Sequence, residues 1–198
     1  MPHRFEDADR WAAVFDDPER DAWQQPEVVI RALDLTPGMT VADVGAGTGY
    51  FEGRLSAAVG ARGQVIATDV EADMIRYLAE RGARDGWTNV RSLQVAAGDP
   101  GLDPGSVDRV LIVDVWHHLA DRQAYAARLA AALRPGGRIV IVDFTLDAER
   151  GPPRHLRIGA DAIVAELGAA GLVAEVTADQ LPDQYIVVAR LAAEGRPQ

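Results

Sequence analysis

Two adjacent histidines, His117 and His118, are the residues of this chain best suited to moving a proton near neutral pH. Imidazole is the side chain that titrates nearest to neutrality, so it can remove a proton from a reacting group. Adjacent residues that enter a helix point in different directions. At most one of them should therefore face a substrate comfortably; we expect at least one in the site, and we favour His117. The alternative is structural, with His118 capping or packing at a helix entrance and His117 on the surface.

A glycine-rich stretch offers a different chemistry, the binding of a ligand by the backbone. Residues 41–51 place Gly45, Gly47 and Gly49 at every second position after an apolar strand, and Asp43 stands just ahead of them. Glycine lets the chain turn sharply and approach a ligand closely. The spacing differs from G-x-G-x-x-G, and a carboxylate at Asp43 would repel a pyrophosphate. The pattern favours a ligand that carries an ammonium and a sulfonium.

The elements that position these residues alternate along the chain. Strand-length apolar runs separated by stretches of helical period predict βαβ units and an α/β fold. Asp69 ends the second strand, twenty residues after Gly49, where a carboxylate can accept hydrogen bonds from two ribose hydroxyls. The predicted strands cover residues 40–44, 64–69, 90–95, 107–113, 138–144, 172–177 and 184–191, and the predicted helices 9–15, 26–33, 71–84, 122–133 and 160–170.

Four segments together resemble the motifs of the class I S-adenosylmethionine-dependent methyltransferases: residues 41–51, 67–69, 108–114 and 133–138. The resemblance covers roughly residues 26–191. It implies a Rossmann-like, seven-stranded, mainly parallel sheet of order 3-2-1-4-5-7-6, with helices on both faces and the seventh strand antiparallel. It also implies one methyltransferase domain over residues 1–198, with an N-terminal helical lid at 1–35 and the core at 36–198.

The resemblance assigns residues to S-adenosylmethionine, whose product is S-adenosylhomocysteine. Gly45 and Gly47 line the methionyl part and Asp69 holds the ribose. The position against the adenine amino group stays open between Asp99 and the backbone of Ala97, because Asp99 also fits a turn before Pro100. The full predicted cofactor set is Asp43, Gly45, Ala46, Gly47, Thr48, Gly49, Asp69, Val70, Met74, Ala97, Gly98, Asp99 and Asp114.

The predicted substrate pocket is aromatic, with members Trp11, Phe15, Trp23, Trp116, Phe144 and Tyr185. An amphipathic helix that buries its apolar face explains Trp11 and Phe15 equally well, and Tyr185 equally suits strand packing. Trp23 lies in a polar stretch, and we expect it to cover the sulfonium, since a ring face attracts a cation.

Asp114 and Asp143 raise the alternative of a Mg²⁺ site of the kind found in catechol-type methyltransferases. The residue after Asp143 is Phe144, where that kind of site has an asparagine ligand. We therefore predict no metal.

Composition limits the partners. The 198 residues carry a formal net charge of −10, which argues against nucleic acid and anionic membrane surfaces as partners. The chain has no cysteine, which excludes thiolate metal ligands and a cysteine nucleophile. No signal sequence or membrane span is predicted, so we expect a bacterial, cytoplasmic monomer or homodimer. The expected reaction is in-line methyl transfer to a small molecule. The alternative is a member of the fold that binds the cofactor and catalyses or scaffolds another reaction.

Overall fold

The computed structural model of the chain describes residues 7–179 and 181–192. Within them the helices are α1 (Ala8–Phe15), α2 (Arg20–Gln24), α3 (Pro26–Leu33), α4 (Glu52–Val59), α5 (Ala72–Asp85), α6 (Arg122–Ala132) and α7 (Ala160–Ala169). The strands are β1 (Thr40–Val44), β2 (Gln64–Asp69), β3 (Val90–Gln94), β4 (Val107–Val113), β5 (Leu133–Phe144), β6 (Leu172–Val176) and β7 (Gln184–Leu191). The predicted domain, 1–198, extends beyond these residues at both ends.

One seven-stranded sheet holds the strands in the order β3-β2-β1-β4-β5-β7-β6, which confirms the predicted topology. β7 runs antiparallel to β5 and β6, and the other pairings are parallel. The carboxyl ends of β1, β2, β4 and β5 therefore meet at one edge of the sheet. Because β7 is antiparallel, its first residues join them there, with Gln184 opposite Phe144 and Tyr185 opposite Asp143.

The central strands are mostly buried because both faces of the sheet are covered. Leu111 and Ile112 of β4 are both fully buried, although they point to opposite faces. Leu111 packs in a cluster with residues of α3 and α4, whereas Ile112 packs in a second cluster with residues of α6 and α7. Of the residues described, none belongs to a helix long and apolar enough to cross a membrane.

β5 and α2 differ from the sequence prediction, and α4, the helix that follows the glycine loop, had no predicted bounds. β5 begins at Leu133 rather than near residue 138, because Leu133 already pairs with Val107 before the register shifts between Val107 and Arg109. α2 was not predicted, since its five residues are too few to show a helical period.

The helices ahead of the sheet are tied to it by long-range hydrogen bonds. The Ala8 amide at the start of α1 donates to Asp73 of α5 at 2.6 Å. Nε of Arg109 in β4 donates to the Leu33 carbonyl at the end of α3, also at 2.6 Å. α2 lies between these two anchored helices in the chain, and its side chains reach the edge of the sheet where the strand ends meet.

Candidate functional site

The loop after β1 has a backbone that only glycine adopts readily. Gly45, Gly47 and Gly49 have φ angles of +75°, +57° and +90°, in the left-handed region. A Cβ on Gly45 would lie 2.4 Å from a methyl carbon of Val115, so a side chain would also collide there. The Gly45 amide donates to the Thr68 carbonyl at 2.8 Å and fastens the loop to the end of β2. The alternating glycines are thus required by the local geometry.

Asp69, at the end of β2, lies against this loop. One carboxylate oxygen accepts from the Gly47 amide and the other from the Glu71 amide, each at 2.9 Å. Burial raises the pKa of Asp69, while these two amides oppose the rise. Each oxygen keeps lone-pair capacity, so the carboxylate can accept further hydrogen bonds from a ligand.

A pair of buried carboxyl groups lies behind the loop. Asp43 of β1 and Glu52 of α4 are 3% and 0% exposed, and both Glu52 carboxylate oxygens are without a hydrogen-bond partner in the described part of the chain. Burial raises the pKa of both, and the charge of Asp43 raises that of Glu52 further. Burial favours the neutral form of a carboxyl group, and the raised pKa values explain how two acids lie together in the interior. Asp43, residues 45–49 and Asp69 are called the glycine-loop half of the site below.

The residues predicted to surround an adenine lie beyond β2 and β3. Val70 is 48% exposed, whereas Met74 is 1% exposed and belongs to the buried face of α5. Asp99 is exposed, and its carboxylate accepts from the Gly101 amide at 2.9 Å, which matches the turn interpretation of this residue. Two other residues predicted for this region are exposed as well: Ala97 and Gly98.

The end of β4 is strained and charged. Asp114 has a φ of +60°, uncommon for a residue with a side chain, and such strain clusters at functional sites. Its carboxylate accepts from Nε2 of Gln184 at 2.5 Å, and Arg20 lies 4.0 Å away. Burial and the nearby charge of Asp143 raise the pKa of Asp114 to about 7, although Arg20 lowers it in part.

His117 and Asp143 form a buried pair. Nδ1 of His117 lies 2.9 and 3.1 Å from the two carboxylate oxygens of Asp143, and the His117 amide donates to the same carboxylate. Their side chains are 3% and 0% exposed. A carboxylate at Nδ1 favours the tautomer with a proton there, which leaves Nε2 as the acceptor. His118 is exposed, with its ring 4.1 Å from that of His117.

α2 contributes a polar side-chain network that the sequence did not reveal. Gln24 is fully buried and donates to Gln184, which in turn donates to Asp114. Arg20 donates to the same Gln24 side chain at 3.1 and 3.3 Å. Since Gln24 and Gln184 are 160 positions apart, no spacing along the chain could have indicated their contact. Asp114, His117, Asp143 and Gln184 are called the strand-end half of the site.

The structure brings some of the predicted aromatic residues to the site. Trp11 and Phe15 stack at 5.3 Å, and the Phe15 ring lies 3.5 Å from where a Cβ on Gly47 would be. The Trp23 ring lies 6.0 Å from that of Phe144, the last residue of β5. Beside Trp23 is a cavity of about 350 Å³, lined in part by Arg20 and Arg150. α1 and α2 thus lay aromatic rings over both halves of the site.

The other two predicted aromatic residues face elsewhere. Trp116 is fully buried in the core with Tyr125, and its indole N–H donates to Glu166 of α7 at 2.8 Å. Tyr185 is 8% exposed, and its hydroxyl donates to the Ile158 carbonyl. Both were expected in the substrate pocket. Their rings fill the space between the sheet and its helices instead, because each polar atom finds a partner there.

No cluster of three or more potential metal ligands occurs among residues 7–179 and 181–192. Asp114, His117 and Asp143 are close in the fold, and Nδ1 of His117 is hydrogen-bonded to the Asp143 carboxylate while Oδ1 of Asp114 accepts from Gln184. The absence of a metal requirement stays a prediction.

Comparison with known proteins places this site in context. Residues 41–137 match a family model described as a methyltransferase domain. The chain is 34% identical over 134 residues to nocamycin O-methyltransferase of Saccharothrix syringae, covering 66% of this chain and 47% of that protein. It is 30% identical over 112 residues to the ubiquinone/menaquinone biosynthesis C-methyltransferase UbiE of Idiomarina loihiensis, covering 54% of this chain and 43% of that protein. The chain thus spans less than half the length of these curated relatives.

A solved structure covers more of the chain. The crystal structure of an S-adenosylmethionine-dependent methyltransferase from Aquifex aeolicus superposes with a TM-score of 0.85 at 28% identity. The match covers 92% of this chain and 97% of that one.

Proposed function

Since the chain belongs to the class I S-adenosylmethionine-dependent methyltransferases, we propose that it is an enzyme that transfers a methyl group from S-adenosylmethionine to a small-molecule acceptor. The observation that carries the proposal is the glycine-loop half, in which three left-handed glycines and the Asp69 carboxylate meet at the ends of β1 and β2. In an open α/β sheet, ligands bind outside the carboxyl ends of the strands.

The residues present fit this cofactor. Asp69 has free lone pairs for two ribose hydroxyls, and the glycine loop lets an elongated ligand lie against the backbone. The Thr48 hydroxyl in the loop is buried and finds no hydrogen-bond partner within the described part of the chain, which suits a site that a polar ligand or water completes. Asp43 and Asp114 place negative charge where an ammonium or a sulfonium is favoured.

When bound, S-adenosylmethionine supplies a methyl group on a sulfonium, which a nucleophile displaces in line. The chain aligns the reacting atoms and excludes water from them. Phe15 beside Gly47 and Trp23 beside Phe144 are placed to do this, because both stand on helices that cover the strand ends. In this proposal the Trp23 ring also attracts the sulfonium charge.

We assign the general base to His117 rather than to His118. Asp143 holds Nδ1 of His117, so Nε2 accepts the proton from an acceptor hydroxyl or N–H. Asp143 is thus a positioning residue, and its negative charge stabilises the protonated imidazole that results. A thiolate acceptor would need no base.

A small acceptor is supported by the names of the two methyltransferase relatives, one acting in quinone biosynthesis and one on nocamycin. The cavity beside Trp23, at about 350 Å³, has room for such a molecule. A metal-free reaction, a cytoplasmic location and a monomeric or dimeric state belong to the same proposal, as does the absence of nucleic-acid and membrane partners.

The test is a methyl-transfer screen over small phenols, amines, thiols and halides, with release of S-adenosylhomocysteine as the readout. Turnover of any member that continues in EDTA supports the proposal and its metal-free form. Cofactor binding without turnover across the panel would favour a protein that uses the cofactor for another purpose. Failure to bind either S-adenosylmethionine or S-adenosylhomocysteine would overturn both.

A further inference from the structure

Arg20, the first residue of α2, is a buried cation that is incompletely paired. Its side chain is 12% exposed, and its guanidinium lies 3.9 Å from the centre of the Tyr50 ring. Nη1 donates to the Phe15 carbonyl at 2.7 Å, and Nε and Nη2 donate to the Gln24 amide oxygen. Both acceptors are neutral oxygens.

The nearest carboxylate is out of hydrogen-bond range. Among the described residues, the closest acidic oxygen to Arg20 is that of Asp114, at 4.0 Å. Two other arginines around the loop differ in this respect, since Arg81 reaches Asp16 and Arg54 reaches Asp21, each at 2.8 Å. A buried charge is costly unless it is paired. Arginine has five N–H donors in a planar fork, and three are used here, so two remain for an anion.

The position of the guanidinium indicates which anion. It lies 4.0 Å from Asp114 at the end of β4, and it stacks on Tyr50 directly after the glycine loop. Asp69 contacts the loop at Gly47. Consider a ligand whose ribose binds Asp69 and whose amino-acid end extends along the loop. That end carries one ammonium and one carboxylate. The region it reaches offers acidic groups for the ammonium and Arg20 for the carboxylate.

We propose that Arg20 binds the carboxylate of the methionyl group of the cofactor and so ties α2 to the bound ligand, an inference that rests on the proposed function. A carboxylate matches the fork of a guanidinium and pairs with it through two parallel hydrogen bonds. Because Gln24 and Gln184 link Arg20 to Asp114, the same contact joins the lid helix to the strand-end half.

Calorimetry tests this with two ligands that differ in one group, S-adenosylmethionine and decarboxylated S-adenosylmethionine, in the absence of any acceptor. We expect Arg20→Gln to weaken binding of the first about tenfold or more, as for loss of a charge-assisted hydrogen bond, and binding of the second less than about twofold. Arg54→Gln is the matched control. Arg54 also stacks on Tyr50, at 5.0 Å, but it is paired with Asp21, so both affinities should stay unchanged.

Equal weakening of both ligands would overturn the assignment and make Arg20 structural, or reserve it for an acidic acceptor. Unchanged binding of both would also overturn it. If Arg20→Gln unfolds, Arg20→Lys keeps the charge, and the wild-type preference for the carboxylated ligand should shrink but persist. Wild-type protein that binds neither ligand would overturn the proposed function as well, whereas wild-type binding with no carboxylate preference overturns only the role of Arg20.

Discussion

The two halves of the site are built in different ways. The glycine-loop half extends from Asp43 to Asp69, and its defining features are backbone angles and amide hydrogen bonds. The strand-end half consists of residues that lie at or just after the ends of β4, β5 and β7. Gln24 of α2 contacts it by a hydrogen bond to Gln184, 160 positions further along the chain. Its defining features are contacts between side chains. The first half is therefore visible as a local pattern in the sequence. The residues of the second half come together only when the sheet has formed.

This contrast predicts different failures. Substitutions in the glycine-loop half should damage the fold or the binding of the cofactor. Substitutions of His117 and Asp143 in the strand-end half should leave binding of the cofactor intact and reduce the rate of reaction. Four experiments examine that division, in order of decreasing expected effect.

Replacing His117 by Ala should have the largest effect. Loss of a general base lowers kcat by about 10²–10⁴-fold, while S-adenosylhomocysteine should bind with nearly unchanged affinity. His118→Ala is the matched control, because His118 is exposed whereas the His117 side chain is buried against Asp143, and it should retain most activity. Steady-state kinetics and calorimetry separate the two effects. Full activity of His117→Ala on the true acceptor would show that no base is needed.

Gly45→Ala should be the most destabilising change in the glycine-loop half. A left-handed alanine costs roughly 1–2 kcal/mol, and the collision of the new Cβ with Val115 adds about 1–3 kcal/mol. Gly86 has a similar φ of +73° with open space around it, so Gly86→Ala should show only the first cost. Denaturant unfolding measures both. Equal losses for the two variants would mean that Val115 yields without strain.

Asp69→Ala should weaken cofactor binding with little change in the folded structure. Each lost hydrogen bond to the charged carboxylate contributes about 1.5–3 kcal/mol, and two ribose hydroxyls are available to make them. Glu71→Ala, which removes a carboxylate two residues away that accepts no such bond in our assignment, serves as the control in calorimetry. The same affinity in wild type and Asp69→Ala would remove Asp69 from the cofactor site.

The smallest expected effect is a pH dependence of stability that arises from Asp114. Its pKa is about 7 in the folded chain, above the ordinary 3.8, so the folded state holds a proton that the unfolded state has lost between these values. The contribution of Asp114 to stability is therefore present below about pH 4 and is lost as pH rises towards 7. Asp114→Asn should flatten this decline in denaturant midpoints measured from pH 5 to pH 8. An unchanged slope would mean that another group causes it.

Much of the fold could be predicted from the sequence. The strand order follows from the motifs of the resemblance, and most strand bounds follow from apolar runs that end at Asp69, Val113 or Phe144. The early start of β5 could not, because it depends on how Leu133 meets Val107 across the sheet. The five-residue α2 could not either, since so short a helix leaves no periodic signal.

The sequence by itself determined the glycine-loop half. Left-handed backbone angles require glycine at particular positions, and the short segment from the loop to the end of β2 returns Asp69 to the side of these glycines. Only the tertiary structure decided which histidine is held by a carboxylate, that Trp116 and Tyr185 fill the core, and that Arg20 lies among the strand ends. These outcomes depend on the directions of side chains on elements far apart in the sequence, and such directions are fixed by packing rather than by spacing along the chain.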